Sequence, residues 1–491
     1  MSVQERQQVN RWGPPTGWSG QRSAARAPGP VQPATVAAAK GAFSWDLPVG
    51  LGWLAAGIAA LGVESLGITA DPRHSTTLLL GALALLFGLW VFYCDGGARI
   101  TAVGVYNFSF ALFVGFAALY TEIKAGAGAS QVPILQALSL CYFLHVSTWL
   151  LFWSRIRRRP ESEPVRADPE LSRWALRWGL TLLVLGVVLT LVFPSRYHHL
   201  LIDSTGFVGV VLLGLGLLPG RRRRRRLIYG LVPMAGFALY YAYLFNDFGR
   251  IVLGSLGFAL AVILANRGRG RRHVKLWLVA VAAPTVFLLG QIRAATGADE
   301  RDADGLGSVV TPFRDFTRLL DLDAMGALAR AWGETFWAAA VTLVPRAVWP
   351  GKPDGLGAAL VPILSPEMVG TGHTHAALSP GEWLINFGLV GLLLMVPVTG
   401  LALRWIDRAV DRVASRPVTT PRQLLAYTAG ILVVVGMVDL MWVGTSTYVS
   451  RTGCRLLVLL VLVVLVAWWH RPPAGLPGGH TGAPLMSELR R

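Results

Sequence analysis

Cysteine and charge are both scarce in this sequence. Its 491 residues include only three cysteines, Cys94, Cys141 and Cys454, and all three lie inside or at the edge of apolar segments. A disulfide framework or a cysteine zinc site needs more cysteines at closer spacing, so both are excluded. Charged residues make up 15% of the chain and hydrophobic residues 53%, which is more apolar surface than a soluble core buries. The composition therefore predicts an all-α polytopic membrane protein.

Lysine is also rare, because only four of the 45 basic residues are lysines. The arginines cluster in short blocks between apolar segments, as in "RIRRRP", "RRRRRR" and "RGRGRR". The positive-inside tendency of membrane proteins accounts for this pattern and for the net charge of +18. A nucleic-acid partner is therefore not predicted. The preference for arginine over lysine indicates a bacterial genome rich in G and C.

Apolar segments long enough to cross a bilayer recur along the chain. They suggest about 12 transmembrane helices, preceded by a disordered tail over 1–43 and followed by a second tail over 470–491. The segments are 45–68, 76–94, 99–119, 131–153, 174–193, 200–218, 227–246, 250–266, 274–291, 385–404, 424–444 and 453–469.

The arginine blocks predict the orientation of these spans. When the blocks are placed in the cytoplasm, both termini are cytoplasmic and one large loop, 292–384, is extracytoplasmic. The bundle then divides into spans one to nine, over 44–291, and spans ten to twelve, over 385–469. The predicted location is a bacterial inner (cytoplasmic) membrane.

Two stretches of the loop predict helices that do not cross the bilayer. Phe313, Phe316, Leu320 and Leu328 recur near helical spacing with charges between them, which predicts an amphipathic helix on the membrane surface. The stretch "TFWAAAVTLVPRAVWP" is too short to span and ends at prolines, so we expect a re-entrant or interfacial helix there.

Basic residues near the predicted outer face are the first candidates for a binding site. In "PRAVWPGKP", the prolines restrict the backbone around Arg346 and Lys352, which could then hold a phosphate-bearing headgroup. An ordinary proline-rich interfacial turn is the alternative. Arg250 begins span eight at the outer face, where it either snorkels to the interface or serves a functional site. Among the carboxylates in spans, Asp439 lies deepest, and either a proton relay or a simple ion pair fits it.

Titratable groups cluster just before span ten. In "GTGHTHAALSPGEWLINFG", His373, His375 and Glu382 lie within ten residues, which is a reasonable acid–base cluster. A His-x-His metal pair is the alternative, but no third ligand follows at a suitable distance. A surface turn without function also fits.

These features together resemble the O-antigen polymerase and ligase superfamily, specifically the oligosaccharide repeat-unit polymerases. The resemblance covers roughly 200–405 and rests on the late outer loop, "PRAVWPGKP" and "SPGEWLINFGLVGLLL". Arg346, ten residues and Gly357 fit the Arg-x10-Gly pattern of such polymerases. The ligase branch carries His-x-His-Asn, whereas "HTHA" has Ala376 in the last place, which favours a polymerase.

The resemblance implies polymerisation of polyprenyl-pyrophosphate-linked oligosaccharides by metal-independent, inverting glycosyl transfer outside the membrane. His375 or Glu382 would activate the acceptor, and Arg346 would act with Arg250, Lys352 and Arg293 on the pyrophosphate. The implied partners are that lipid-linked oligosaccharide, membrane lipids, and flippase and chain-length regulator proteins, and no cofactor is implied. Alternatives are ligase-like transfer to another acceptor and a twelve-span transporter without chemistry.

Overall fold

The computed structural model describes two stretches of the chain, 46–281 and 306–469. They are interrupted at 68, 127–131, 155–168, 194–198, 218–222, 246–249, 266–272 and 417. The predicted tails, the first part of the predicted loop (292–305) and Arg293 lie outside the described residues.

The described part of the chain is helical and contains no β-strand. The main helices are α1 (Asp46–Leu66), α2 (Pro72–Cys94), α3 (Ala102–Ala125), α4 (Val132–Trp153), α5 (Pro169–Val192), α6 (His199–Gly216), α7 (Arg223–Leu239), α8 (Arg250–Ala265), α9 (273–281), α10 (Gly307–Ala324), α11 (Glu334–Ala340), α12 (Leu378–Ala414), α13 (Pro421–Val435) and α14 (Thr445–Trp469). Short π-helical turns occur within α3 (Ala111–Phe116), at the end of α4 (Trp149–Trp153) and after α7 (Tyr240–Leu244), and a short helix, Met437–Trp442, follows α13.

Eight of the described helices are long and apolar enough to cross a membrane, and three shorter apolar helices accompany them. The predicted class, a helical multi-pass membrane protein, is therefore confirmed. Each of the twelve predicted segments contains a described helix, although the ninth is described only over 273–281. Twelve spans and cytoplasmic termini remain predictions.

Helices α5 and α6 show how the bundle packs. A Cβ atom at Gly179 would lie 2.7 Å from the Leu213 nitrogen, and one at Gly209 would lie 2.7 Å from the Leu183 nitrogen. Glycine at both positions therefore allows the two backbones to touch, as in many membrane helix pairs. The outward side of α5 is apolar and exposed, which suits lipid: Leu180, Val184, Leu185, Val188 and Leu191.

Buried charged groups join several helices at the C-terminal end of α12. The Asp407 carboxylate accepts hydrogen bonds from the backbone nitrogens of Ala102 (2.6 Å) and Val103 (3.3 Å), at the N-terminus of α3. A carboxylate there satisfies free N–H groups and interacts favourably with the helix dipole. Lys275, on α9, is fully buried and donates to the carbonyl oxygens of Phe92 and Asp95, at 2.9 and 2.6 Å.

The predicted amphipathic helix is present as α10, but its apolar face covers protein. Val310, Phe313, Phe316 and Leu319 are at most 1% exposed, because α10 packs against α3, α4 and α12. Protein and not lipid therefore covers the apolar face of this helix, and its position on the membrane surface remains a prediction. Hydrophobic periodicity identifies the buried face without showing whether lipid or protein covers it.

The second predicted helix is α11, which has seven residues and is followed by turns through Pro350. It packs against α14, with Thr335, Ala338 and Ala339 buried. Its length confirms that the stretch cannot span a bilayer as a helix.

Helix α12 begins at Leu378, seven residues before the predicted span, and is broken at Gly388 (φ 66°, ψ −152°). The carbonyl oxygens just before the break bind the preceding loop: Arg330 Nη1 donates to Leu384 at 3.1 Å, and the Ala331 nitrogen donates to Ile385 at 2.9 Å. Arg330 also pairs with Asp323, near the end of α10. The break therefore attaches the long loop to α12.

We predict that Gly388→Ala destabilises the protein by about 1–3 kcal/mol, because this backbone conformation is essentially confined to glycine. Thermal unfolding in detergent is the measurement. The matched control is Gly254→Ala in α8, where a Cβ atom would meet nothing within 4 Å and the φ angle is not positive. Alanine there should be neutral or slightly stabilising. Equal unfolding temperatures for the two variants would show that α12 is not broken at Gly388.

Candidate functional site

The described part of the long loop, 306–377, folds over the N-terminal ends of α12 and α14. The His375 nitrogen donates to the Gly357 carbonyl oxygen at 2.9 Å. Two residues earlier, Gly355 lies so close to Ser446 on α14 that a Cβ atom would be 2.7 Å from its hydroxyl oxygen. The short stretch from Gly355 to Gly357, which ends at the glycine of the Arg-x10-Gly pattern, therefore connects the histidine segment to α14.

His375 forms the most distinctive side-chain pair of this region. Its Nδ1 lies 2.9 Å from Asp315 Oδ2, and the two side chains are only 9% and 3% exposed. An ionised carboxylate can only accept a hydrogen bond, so this contact is compatible with the tautomer that has its proton on Nδ1 and its lone pair on Nε2. Nε2 is buried and has no hydrogen-bond partner among the described residues. This arrangement makes Nε2 a proton acceptor.

Asp315 was not among the sequence candidates. It lies on α10, one turn before the fully buried Leu319, so it is a carboxylate on the buried side of an amphipathic helix. Its position on the buried side of this helix is the only feature of the sequence that could have identified Asp315, because its partner, His375, is 60 residues away along the chain. His373, by contrast, is exposed, with its ring centroid 4.9 Å from that of His375. The described residues contain no group of three His, Cys, Asp or Glu placed to hold a metal ion.

Glu382 is fully buried, and both of its oxygens have partners. Oε2 accepts from the Thr445 nitrogen at 2.6 Å, at the start of α14, and Oε1 accepts from the Thr335 hydroxyl at 3.3 Å. Gly444 precedes this contact with φ 119°, and a Cβ atom there would lie 2.5 Å from Oε2. The geometry thus gives Glu382 the position of a helix cap, whereas His375 Nε2 has no hydrogen-bond partner among the described residues.

Asn386, which is also fully buried, completes the network around Glu382. Its Nδ2 donates to the Thr335 hydroxyl and to the Glu382 carbonyl oxygen, both at 2.6 Å, and its Oδ1 accepts from the Gly333 nitrogen at 2.8 Å. Helices α11, α12 and α14 are thereby joined by satisfied polar groups, which makes their junction rigid.

Arg346 and Lys352 hold the turn that contains them. Arg346 is half exposed, pairs with Asp354 and donates to the carbonyl oxygens of Pro350 (3.2 Å) and Lys352 (3.0 Å). Lys352 Nζ donates to the carbonyl oxygens of Thr342 (2.9 Å) and Val344 (2.7 Å). Partial burial lowers the pKa of Lys352, and the nearby Arg346 charge adds to this effect. An anion would have to compete with Asp354 for Arg346.

Arg250 and Arg293 are the remaining sequence candidates. Arg250 is the first residue of α8, and its side chain lies outside the described residues, as does the whole of Arg293.

A second charged cluster lies within the helices beside the loop. Arg451 and Arg455, one turn apart on α14, are within electrostatic reach of Asp203 on α6. Arg451 Nη1 lies 2.5 Å from Asp439 Oδ1, and the Arg455 guanidinium lies 3.8 Å from the centre of the Phe207 ring. The α14 arginines were not among the sequence candidates, although their spacing of four residues within an apolar segment was a usable signal.

This cluster contains several buried polar atoms that have no hydrogen-bond partner among the described residues. Such atoms destabilise a fold unless a ligand or water binds them. They include donors and acceptors: Asp203 Oδ1, Asp439 Oδ2, Trp442 Nε1, Thr452 Oγ1 and Arg455 Nη1. The loop lies nearby, since Leu343 would be 3.2 Å from a Cβ atom at Gly453, between the two arginines.

The fold and these contacts define an integral membrane protein with a polar centre where a long loop covers two helix ends. No protein-family model, no curated protein and no solved structure matches the chain. Inference about its function therefore starts from the geometry of this centre and from the resemblance of its motifs.

We predict that Glu382→Ala lowers the free energy of unfolding by about 1–3 kcal/mol, because the Thr445 N–H and the Thr335 hydroxyl lose a buried acceptor. Thermal unfolding in detergent measures the change. Glu367→Ala removes an exposed carboxylate of the same loop and should change stability by less than about 0.5 kcal/mol. If both variants unfold like the original protein, Glu382 does not hold α14 in place.

Proposed function

We propose that this protein polymerises oligosaccharide repeat units linked through pyrophosphate to a polyprenyl lipid, on the outer face of a bacterial cytoplasmic membrane. The proposal rests on the resemblance to the repeat-unit polymerases. The observation that supports it most is the His375–Asp315 pair, because the transfer needs a base and the pair presents a free imidazole nitrogen.

In the proposed reaction, the acceptor hydroxyl oxygen forms a bond with the anomeric carbon of the donor. The bond from that carbon to the pyrophosphate oxygen breaks, and its electron pair leaves with the pyrophosphate. Nε2 of His375 takes the hydroxyl proton, and Asp315 stabilises the imidazolium that results. Because Nε2 is buried, the acceptor reaches it only after a small displacement of neighbouring loop residues. Asp315 is a positioning residue in this scheme.

The departing pyrophosphate gains negative charge in the transition state and needs donors that are already in place. The resemblance assigns binding of the pyrophosphate to Arg346, Lys352, Arg250 and Arg293. Arg346 and Lys352 already donate hydrogen bonds within their own turn. The α14 cluster adds N–H groups that have no partner among the described residues, on Arg455 and Trp442. We therefore include Arg451 and Arg455 among the groups that bind the donor phosphates.

A transporter without chemistry is the second candidate, and the break in α12 favours it, since transporters use broken helices to form substrate sites. The carbonyl oxygens of Leu384 and Ile385 at this break, however, are already bound by Arg330 and Ala331. Ligase-like transfer to another acceptor would use the same base and the same arginines as the polymerase.

We predict that His375→Ala and Asp315→Asn each reduce chain extension about 10²–10⁴-fold, the usual contribution of a general base. Extension of purified lipid-linked repeat units by the reconstituted protein is the measurement, with thermal unfolding to check folding. His373→Ala, which changes the exposed neighbouring histidine, should retain activity. Full activity in His375→Ala would move the base elsewhere. Movement of lipid-linked units without extension, in the unsubstituted protein, would favour the transporter.

We also predict that Arg451→Lys, Arg455→Lys and Arg346→Lys each slow extension about 10²–10³-fold, because lysine keeps the charge but lacks the planar pair of donors. The matched control is Arg173→Lys, on the exposed side of α5, which should be unaffected. Extension should also continue in EDTA. Loss of activity in EDTA with recovery in magnesium or manganese would contradict the metal-independent mechanism.

A further inference from the structure

Trp332 has the most unusual backbone conformation among the large side chains of the loop. Its φ angle is 47°, in the left-handed region that bulky residues rarely adopt, and the residue is 78% exposed. The conformation is held from both sides, since Ala331 N donates to Ile385 O at 2.9 Å and Gly333 N donates to Asn386 Oδ1 at 2.8 Å. A strained residue that the surrounding structure fixes so firmly calls for a functional explanation.

Residues that follow Trp332 in the chain pack on aromatic side chains of α12. Gly333 lies against the Phe387 ring, because a Cβ atom there would be 3.5 Å from it. The Phe336 ring lies 4.9 Å from that of Trp383 and is stacked on that of Phe387 at 6.1 Å, centre to centre. The loop around Trp332 and the α12 residues before the break therefore form one continuous aromatic surface.

This aromatic surface continues into the exposed apolar side of α12. Leu389, Val390 and Leu393 follow Phe387 and are 59%, 64% and 69% exposed, as expected for side chains that face lipid. On the loop, Trp337 and Val348 are also exposed, at 55% and 76%. Trp332 and Trp337 are thus sequence neighbours of residues that contact α12 just before its exposed apolar side, and Val348 is a further exposed apolar side chain of the same loop.

The chemistry of this surface fits the headgroup region of a bilayer. Tryptophan is enriched at membrane–water interfaces, because its ring is apolar and its N–H is polar. The neighbours of Trp332 bind Ile385 and Asn386, about one turn before the exposed apolar side of α12 begins at Leu389, and α11 is too short to cross the membrane. An interfacial element buries its apolar side chains about 5–10 Å into the headgroup and acyl boundary.

We propose that Trp332, Trp337 and Val348 form an interfacial anchor, which inserts into the headgroup region of the leaflet on the side of the long loop. The partner is the phospholipid surface itself. The anchor holds the loop, and with it His375, at the level of the membrane surface. This inference is independent of the proposed glycosyl transfer.

Depth measurement by electron paramagnetic resonance tests the proposal. The full-length protein, with Cys94, the one half-buried cysteine, replaced by serine, is reconstituted in vesicles of phosphatidylethanolamine and phosphatidylglycerol. A nitroxide is attached to Trp332→Cys, to Val348→Cys, to Leu393→Cys as the lipid reference or to Glu367→Cys as the water reference. Relaxation by oxygen, which concentrates in lipid, is compared with relaxation by a water-soluble nickel complex.

The label at 332 decides the outcome, and the label at 348 shows how far the anchor extends along the loop. We expect the ratio of oxygen to nickel accessibility at 332 to be at least several-fold above that at 367 and below that at 393. A ratio equal to that at 367 would place the residue in water and overturn the proposal. Protection from both reagents would also overturn it, because it would indicate contact with protein, such as a second copy of the chain. A single peak in size-exclusion chromatography confirms that each labelled variant is folded.

Discussion

The hydrogen bond from the Thr445 backbone nitrogen to the Glu382 carboxylate is the contact on which the polar centre depends. It brings the first turn of α12 and the first residue of α14 together, and Thr335 of α11 donates to the same carboxylate. His375 lies three residues before the start of α12, so its position follows from that of α12. A carboxylate fully removed from water is stable only when such donors bind it.

Much of the fold could be predicted from the sequence, because lipid imposes a simple rule on it. Backbone groups inside a bilayer must bind one another, so long apolar segments form helices, and all twelve segments contain one. The start of α12 was missed by seven residues because the residues before 385 are buried by protein and carry Glu382. Hydropathy does not report that kind of burial. The same limit explains why the packing of α10 on protein was not predicted.

The candidate site was predictable in part. The sequence places His375 and Glu382 near one helix end, but it does not show that one binds Asp315 and the other binds Thr445. Those partners are 60 and 63 residues away, and only tertiary structure brings them close. Arg346 was selected as a candidate because neighbouring prolines restrict the backbone. In the structure, Arg346 itself also holds this turn, through hydrogen bonds to the carbonyl oxygens of Pro350 and Lys352. Arg451 and Arg455 on α14 were missed, although their spacing of four residues within an apolar segment could have identified them from the sequence alone.

The separation of Glu382 from Thr445 also sets an order for biosynthesis. Arg330 and Ala331 precede α12 in the chain, so the groups that bind its broken turn have already been made when α12 leaves the ribosome. The Thr445 nitrogen follows Glu382 by 63 residues, so it is made well after α12. Until then the Glu382 carboxylate lacks its strongest donor, and desolvating it is unfavourable. The Glu382 network can therefore be completed only after the start of α14 has been made, so the polar centre forms later than α12 itself.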